Sequence, residues 1–230
     1  MKKPIFTLIT TSILLLGFLS GCILRKPPPE STPSSAPTQV SYGIPFTSFS
    51  GDKPDNIAIQ KPEGPALVHM VYAGPDSFVV RAYDKDGNET SYPTPLADEV
   101  GPFEGYRLID LVGKQTASIN VEYSSGAYKI EVFPITPEFP TALTAPGMIQ
   151  GTFPNLYKMS GFTPDKAELN YQGESNFTVQ VLDQNLQNNN WISIANEIGN
   201  YKGTKTLPNG VVYIYVESAT GAYTIGITGK

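Results

Sequence analysis

The sequence holds one cysteine and one histidine among 230 residues. A single Cys cannot close an internal disulfide. A single His excludes a multi-His metal centre and leaves no spare for a His-based triad. Charge is sparse too, at 16% of residues with a net charge of −5. The basic residues are scattered, so the electrostatic footprint of a nucleic-acid binder is missing. No helical periodicity follows the first two dozen residues. Abundant instead are 21 Gly, 21 Pro and 13 Tyr, a composition of short strands and many turns.

The amino terminus reads as an address. Lys2 and Lys3 form a basic start. Ile5 to Phe18 is apolar for about 14 residues, the length of a signal-peptide core and short for a membrane span. It ends in Leu19-Ser20-Gly21-Cys22. This resembles the bacterial lipobox, in which small residues precede a Cys whose thiol receives a diacylglyceryl group. The resemblance implies cleavage before Cys22, further acylation such as palmitate, and a membrane-held protein facing the periplasm or the cell exterior. Ile23, rather than Asp, follows Cys22. In a cell with two membranes the usual sorting pattern of such lipoproteins then favours the outer one. The processed chain would keep 14 basic residues against 21 acidic ones, a net charge of −7. Acyl chains, not attraction to anionic lipid, would hold it.

The expected organisation has five parts. Residues 1–21 are the signal peptide. Residues 22–43 are the lipidated Cys and a Pro/Ser-rich tether, with Pro27-Pro28-Pro29 and Pro33, Pro37 favouring extended polyproline II. Residues 44–133 and 147–230 are two copies of one domain, joined by a Pro-rich linker over 134–146.

The duplication rests on three ordered matches. Phe78-Val79-Val80-Arg81-Ala82-Tyr83-Asp84 answers Phe177-Thr178-Val179-Gln180-Val181-Leu182-Asp183. Glu99-Val100-Gly101-Pro102-Phe103-Glu104-Gly105 answers Glu197-Ile198-Gly199-Asn200-Tyr201-Lys202-Gly203. Gly126-Ala127-Tyr128-Lys129-Ile130-Glu131-Val132 answers Gly221-Ala222-Tyr223-Thr224-Ile225-Gly226-Ile227. The offset drifts from 99 to 98 to 95 residues, as tandem copies with loop deletions do.

Within each block the apolar residues alternate, placing Phe78, Val80 and Ala82 on one face and Tyr128, Ile130 and Val132 on another. Such strands bury one face only. Gly74-Pro75-Asp76, Asp86-Gly87-Asn88, Ser125-Gly126 and Pro208-Asn209-Gly210 supply turns between them. The fold expected is all-β: two tandem antiparallel β-sandwiches of seven or eight strands each, each able to fold alone. The layout of residues 46–230 is similar to bacterial pre-peptidase C-terminal domains. Pro93 and Pro95 depart from the pattern in copy one. The resemblance implies an accessory or binding module and carries no catalytic signature.

Candidate chemistry is thin. His69, in the strand-like Ala66-Leu67-Val68-His69-Met70-Val71-Tyr72, reads as a structural or surface residue. Asp84-Lys85-Asp86-Gly87-Asn88-Glu89 has a calcium loop's opening, but Pro95 stands where its final Glu belongs; a hairpin turn is the better reading. Glu99 and Glu197 recur in both copies, which points to a fold role. Trp191, aligned with Tyr92, reads as a strand-edge core residue. No cofactor, metal site or catalytic set is expected, and the chain is read as a non-enzyme. One contrast stands out: copy one has Ser118 and Asn120 where copy two has Tyr213 and Tyr215. Alternation points both tyrosines away from their own core, where they form either a binding surface or the filling of a seam between the copies. The function expected is a non-catalytic binding, adhesion or accessory lipoprotein, with a carbohydrate-binding envelope module as the alternative. Its partners would be membrane lipid through Cys22 and an envelope protein or glycan, with no nucleic acid.

Overall fold

A computed structural model describes residues 42–111, 113–135, 147–186 and 192–230. The signal peptide, Cys22 and nearly all of the tether lie outside the described residues, as do most of the linker and Trp191.

Period-two alternation becomes strands throughout. The first module contains β1 (Thr47–Gly51), β2 (Asp55–Ala58), β3 (Ala66–Tyr72), β4 (Ser77–Tyr83), β5 (Ser91–Tyr92), β6 (Ala97–Val100), β7 (Phe103–Ile109), β8 (Ser118–Tyr123) and β9 (Tyr128–Pro134). The second contains β10 (Gly147–Gly151), β11 (Asn155–Lys158), β12 (Pro164–Gln172), β13 (Asn176–Leu182), β14 (Ile192–Ile198), β15 (Tyr201–Thr206), β16 (Tyr213–Ser218) and β17 (Ala222–Gly229). All pairings are antiparallel, and among the described residues there is no helix. The fold is thus all-β with two modules.

Each module is two sheets. In the first, β2-β8-β4-β6 faces β1-β9-β3-β7-β5; in the second, β11-β16-β13-β14 faces β10-β17-β12-β15. The duplicated sequence therefore gives duplicated topology, strand for strand, apart from β5. The two module cores are separate clusters. One holds Phe78, Val80, Ile119, Val121, Tyr128 and Ile130; the other holds Phe177, Val179, Ile214, Val216, Tyr223 and Ile225.

An aromatic set repeats inside both cores. Tyr72 stacks on Phe78 at 4.6 Å, and Tyr171 on Phe177 at 4.6 Å. Phe103 and Tyr128 tilt against Phe78, as Tyr201 and Tyr223 tilt against Phe177. The recurring Glu-(Val/Ile)-Gly-x-(Phe/Tyr)-x-Gly block owes its form to this set. Gly101 and Gly199 take positive φ, of 87° and 81°, where the chain crosses from one sheet to the other. Their N–H groups donate to the carbonyls of Asp76 and Ser175. The ring that follows then lies over the next glycine, Gly105 or Gly203, where a Cβ would strike it. The expected fold role of the block is a corner.

The Asp84 stretch is a hairpin turn. The Asp84 side chain accepts hydrogen bonds from the backbone N–H groups of Asp86 and Asn88, and Gly87 has positive φ. Its carboxylate is consumed by the turn it caps.

A third core lies between the modules. Tyr42, Leu67, Tyr106, Leu108, Leu111 and Phe133 of the first pack on Leu156, Leu182, Leu186, Tyr213 and Tyr215 of the second. The sheet β1-β9-β3-β7-β5 thereby buries both faces, and so does β11-β16-β13-β14. Four sheets stack with three apolar layers between them, and the modules belong to one compact unit, Pro37–Lys230. Backbone joins them too: the Tyr106 N–H donates to the Pro154 carbonyl at 3.0 Å.

Candidate functional site

Tyr213 and Tyr215 sit on β16 and project from the face opposite their own module's core, as alternation requires. They are not a solvent-facing platform. Tyr215 is 0% exposed and Tyr213 4%, because the neighbouring module covers that face. Of the two arrangements open to them, they take the seam. The Tyr215 hydroxyl donates to the Tyr92 carbonyl of the first module at 3.4 Å. Burial pushes the Tyr215 phenol well above its usual pKa, opposed by Arg107, and raises Tyr213 in the same sense. Both stay neutral, so their contribution is area and hydrogen bonding, not charge.

The registers show how the seam ends in a cleft. Tyr213 pairs with Lys158 on one side and Leu182 on the other. Tyr215 pairs with Leu156 and Gln180. The Leu156–Tyr215–Gln180 row is deep, and Gln180 donates to Glu217 at 3.1 Å. The Lys158–Tyr213–Leu182 row is the last before the seam opens. There a cavity of about 450 Å³ forms between the modules. Pro65 and Ile135 of the first module line one wall. Lys158, Val212, Tyr213 and the turn residues Gln184, Asn185 and Leu186 of the second line the other. Small-ligand sites occur preferentially at such junctions. Tyr213 therefore reaches the candidate site, and Tyr215 supports it from behind.

His69 lies elsewhere on the seam. Its ring stacks on Tyr106 at 4.2 Å. Nδ1 is 3.3 Å from Glu131 and Nε2 is 3.2 Å from Glu104. The carboxylates meet opposite ring nitrogens, so no single ion reaches all three groups. Among the described residues no cluster of three or more His, Cys, Asp or Glu side chains could hold a metal ion. Glu131 also pairs with Lys129 at 2.7 Å. Burial pushes its carboxyl up, but the hydrogen bonds from Lys129 and His69 outweigh burial and hold it below its usual pKa. The structural reading of His69 agrees with these contacts. Glu99 lies 3.7 Å from Arg107, whose guanidinium stacks over the Phe103 ring, while Glu197 is exposed.

Two features have no counterpart in the motifs of the sequence. Lys61 and Asp110 form a buried ion pair at 2.6 Å, their side chains 1% and 0% exposed. Lys61 also donates to the Gly64 and Pro62 carbonyls, and Asp110 accepts two hydrogen bonds from Thr116. Every donor of the ammonium is met, as a buried charge requires. The second feature is Tyr42. Its ring lies 4.4 Å from Tyr106 and its hydroxyl donates to Asn155 of the second module. A signal for the seam was present: Leu67, Leu108 and Phe133 are apolar on the outward side of their strands.

No protein-family model matches the chain, and no curated protein matches it. Among solved structures the chain is similar to the protein YhaK from Escherichia coli, at 10% identity, over 81% of this chain and 96% of that one, with a TM-score of 0.22. A likeness of that size carries no argument about fold or function.

Proposed function

We propose that this chain is a lipid-anchored extracytoplasmic protein that binds a partner without catalysis, and that it works as one body rather than as two beads. The observation that carries this reading is the seam. Eleven buried residues lock two duplicated modules together beside a cleft at their junction. Such a body suits presentation of a fixed surface at the end of a tether. The lipobox-like Leu19-Ser20-Gly21-Cys22 supports the anchor. A carbohydrate of the cell envelope is the second reading, favoured by the exposed amides of Gln184 and Asn185 beside the cleft.

The anchor is tested with Cys22→Ser. Cells expressing wild type or variant are fed an alkyne fatty acid, fractionated and probed. The wild type should carry the label and sediment with membranes, and the variant should lose both. Labelled variant would sink the anchor. Binding is tested by retention of the detergent-solubilised full-length protein on insoluble envelope material, with heat-unfolded protein as the control. Equal retention of both would remove the binding reading.

A further inference from the structure

We propose that Lys61 and Asp110 condense after folding into an amide, a self-made cross-link between the two sheets of the first module. The inference goes beyond the anchoring and binding reading and does not depend on it.

Placement comes first. Lys61 follows β2, in one sheet, and Asp110 directly follows β7, in the other. Their side chains meet at 2.6 Å, 1% and 0% exposed. Asp110 holds φ at 60°, a conformation a non-glycine residue adopts at a cost. Its N–H donates to the Thr90 carbonyl at 3.3 Å, which helps to keep it there.

The two carboxylate oxygens are not equivalent. Oδ1 accepts from the Thr116 N–H and from the Thr116 hydroxyl, both at 2.7 Å. That hydroxyl, its hydrogen spent on Asp110, accepts in turn from Thr90 at 2.6 Å. Oδ2 has no hydrogen-bond partner of this kind and faces the Lys61 nitrogen. The amine is oriented as well. Two of its hydrogens go to the Pro62 and Gly64 carbonyls, at 3.0 and 2.6 Å, so the third side of the nitrogen is turned to Asp110. Oδ1 is thus held as a carbonyl oxygen is held in an oxyanion hole, and Oδ2 is placed as a leaving group.

The step balances without a co-reactant. The ammonium passes one proton to Oδ2, giving a neutral amine and a carboxylic acid. Two charges kept out of water are costly, so burial favours that transfer. The freed lone pair attacks Cγ, the Nζ–Cγ bond forms, and the negative charge on Oδ1 is met by the two Thr116 donors. A second nitrogen proton moves to Oδ2. The Cγ–Oδ2 bond then breaks, water leaves and the amide remains. Fixed placement makes the condensation unimolecular, and the dry site keeps water from reversing it.

The test is a protease digest of the detergent-solubilised full-length protein, read by tandem mass spectrometry. The Lys61 and Asp110 segments should appear as one branched peptide, lighter than their sum by one water. The two linear peptides should be at least tenfold scarcer than the branched one. Lys61→Arg keeps the charge and removes the amine, and should give linear peptides only. Boiled in detergent, wild type should run ahead of that variant on a gel, because a closed loop keeps the chain compact. Thr116→Val removes one oxyanion donor and should slow the appearance of the branched peptide at least threefold in newly made protein. Linear peptides alone from the folded wild type overturn the proposal, whatever the variants do. A branched peptide that persists in Lys61→Arg overturns the assignment of the amine. Linkage in Thr116→Val as fast as in wild type overturns the role of the Oδ1 donors.

Discussion

A tyrosine costs little on a polar sheet face and a great deal when removed from a core. Tyr213 and Tyr215 stand where the first module has Ser118 and Asn120, and those two are partly exposed. The same strand position is solvent in one copy and seam in the other. The double variant Tyr213→Ser, Tyr215→Asn restores the first module's residues and empties two ring sites. Large-to-small changes of aromatic core residues cost about 3–5 kcal/mol each, so the pair should lower stability by at least ~3 kcal/mol. The measure is the urea midpoint of the full-length protein. An unchanged midpoint would mean that the rings do not pack across the seam.

Glu131 allows a prediction in pH. Its carboxyl is held below its usual value by Lys129 and His69 against the pull of burial. A depressed carboxyl stabilises the fold above its unfolded pKa, about 4.3, and loses that contribution as pH falls through the lower folded value. The stability difference between wild type and Glu131→Gln should therefore be level above about pH 5 and shrink below about pH 4. A difference that stays flat down to pH 3 would show the Glu131 contacts to be without consequence for folding.

At the scale of elements, much of the architecture was legible. Alternating blocks predicted the strands from Phe78, Phe177, Tyr128 and Tyr223, and their repetition predicted the duplicated sheets. Independent modules are a different matter. Leu67 pairs with Leu108 and Phe133, whereas the aligned Lys166 pairs with Thr206 and Thr228. One copy has an apolar outer row and the other a polar one at equivalent positions. Comparing the copies at Ser118 and Asn120 shows half of this asymmetry, and the Leu67 row is the other half. Each copy read alone is a complete sandwich, so its outer apolar residues have no evident destination until the partner sheet is placed. The cleft was less legible, because Pro65, Ile135, Lys158 and Asn185 are distant in sequence and meet only through the seam. The Lys61–Asp110 pair was hidden because its partners, distant in sequence, meet only when the first module folds.

The separated module tests this. Residues Gly147 to Lys230 alone would leave Leu156, Leu182 and Tyr215 without cover. An exposed apolar patch of that kind drives association. The fragment should bind a hydrophobic dye, self-associate, and unfold at lower temperature than the full-length protein. A monomeric fragment with the full-length melting temperature would show that the seam contributes nothing and that the modules are independent.

For the whole molecule, the place where the described chain begins, at Tyr42, has a mechanical consequence under the proposed anchor. Tyr42 sits in the seam against Tyr106 and Phe133, with its hydroxyl on Asn155. A few residues later the Phe46 N–H is already bonded to Val132 at the end of the inner sheet. Tension along the chain from its amino-terminal side, as the proposed anchor would exert, would thus be delivered into the joint rather than to one module's free end. The load divides between both halves at once, and neither can be peeled from the other until a buried phenol ring has been drawn out. Under the proposed anchor at Cys22, the joint that holds the modules together would also be the clamp by which the protein hangs.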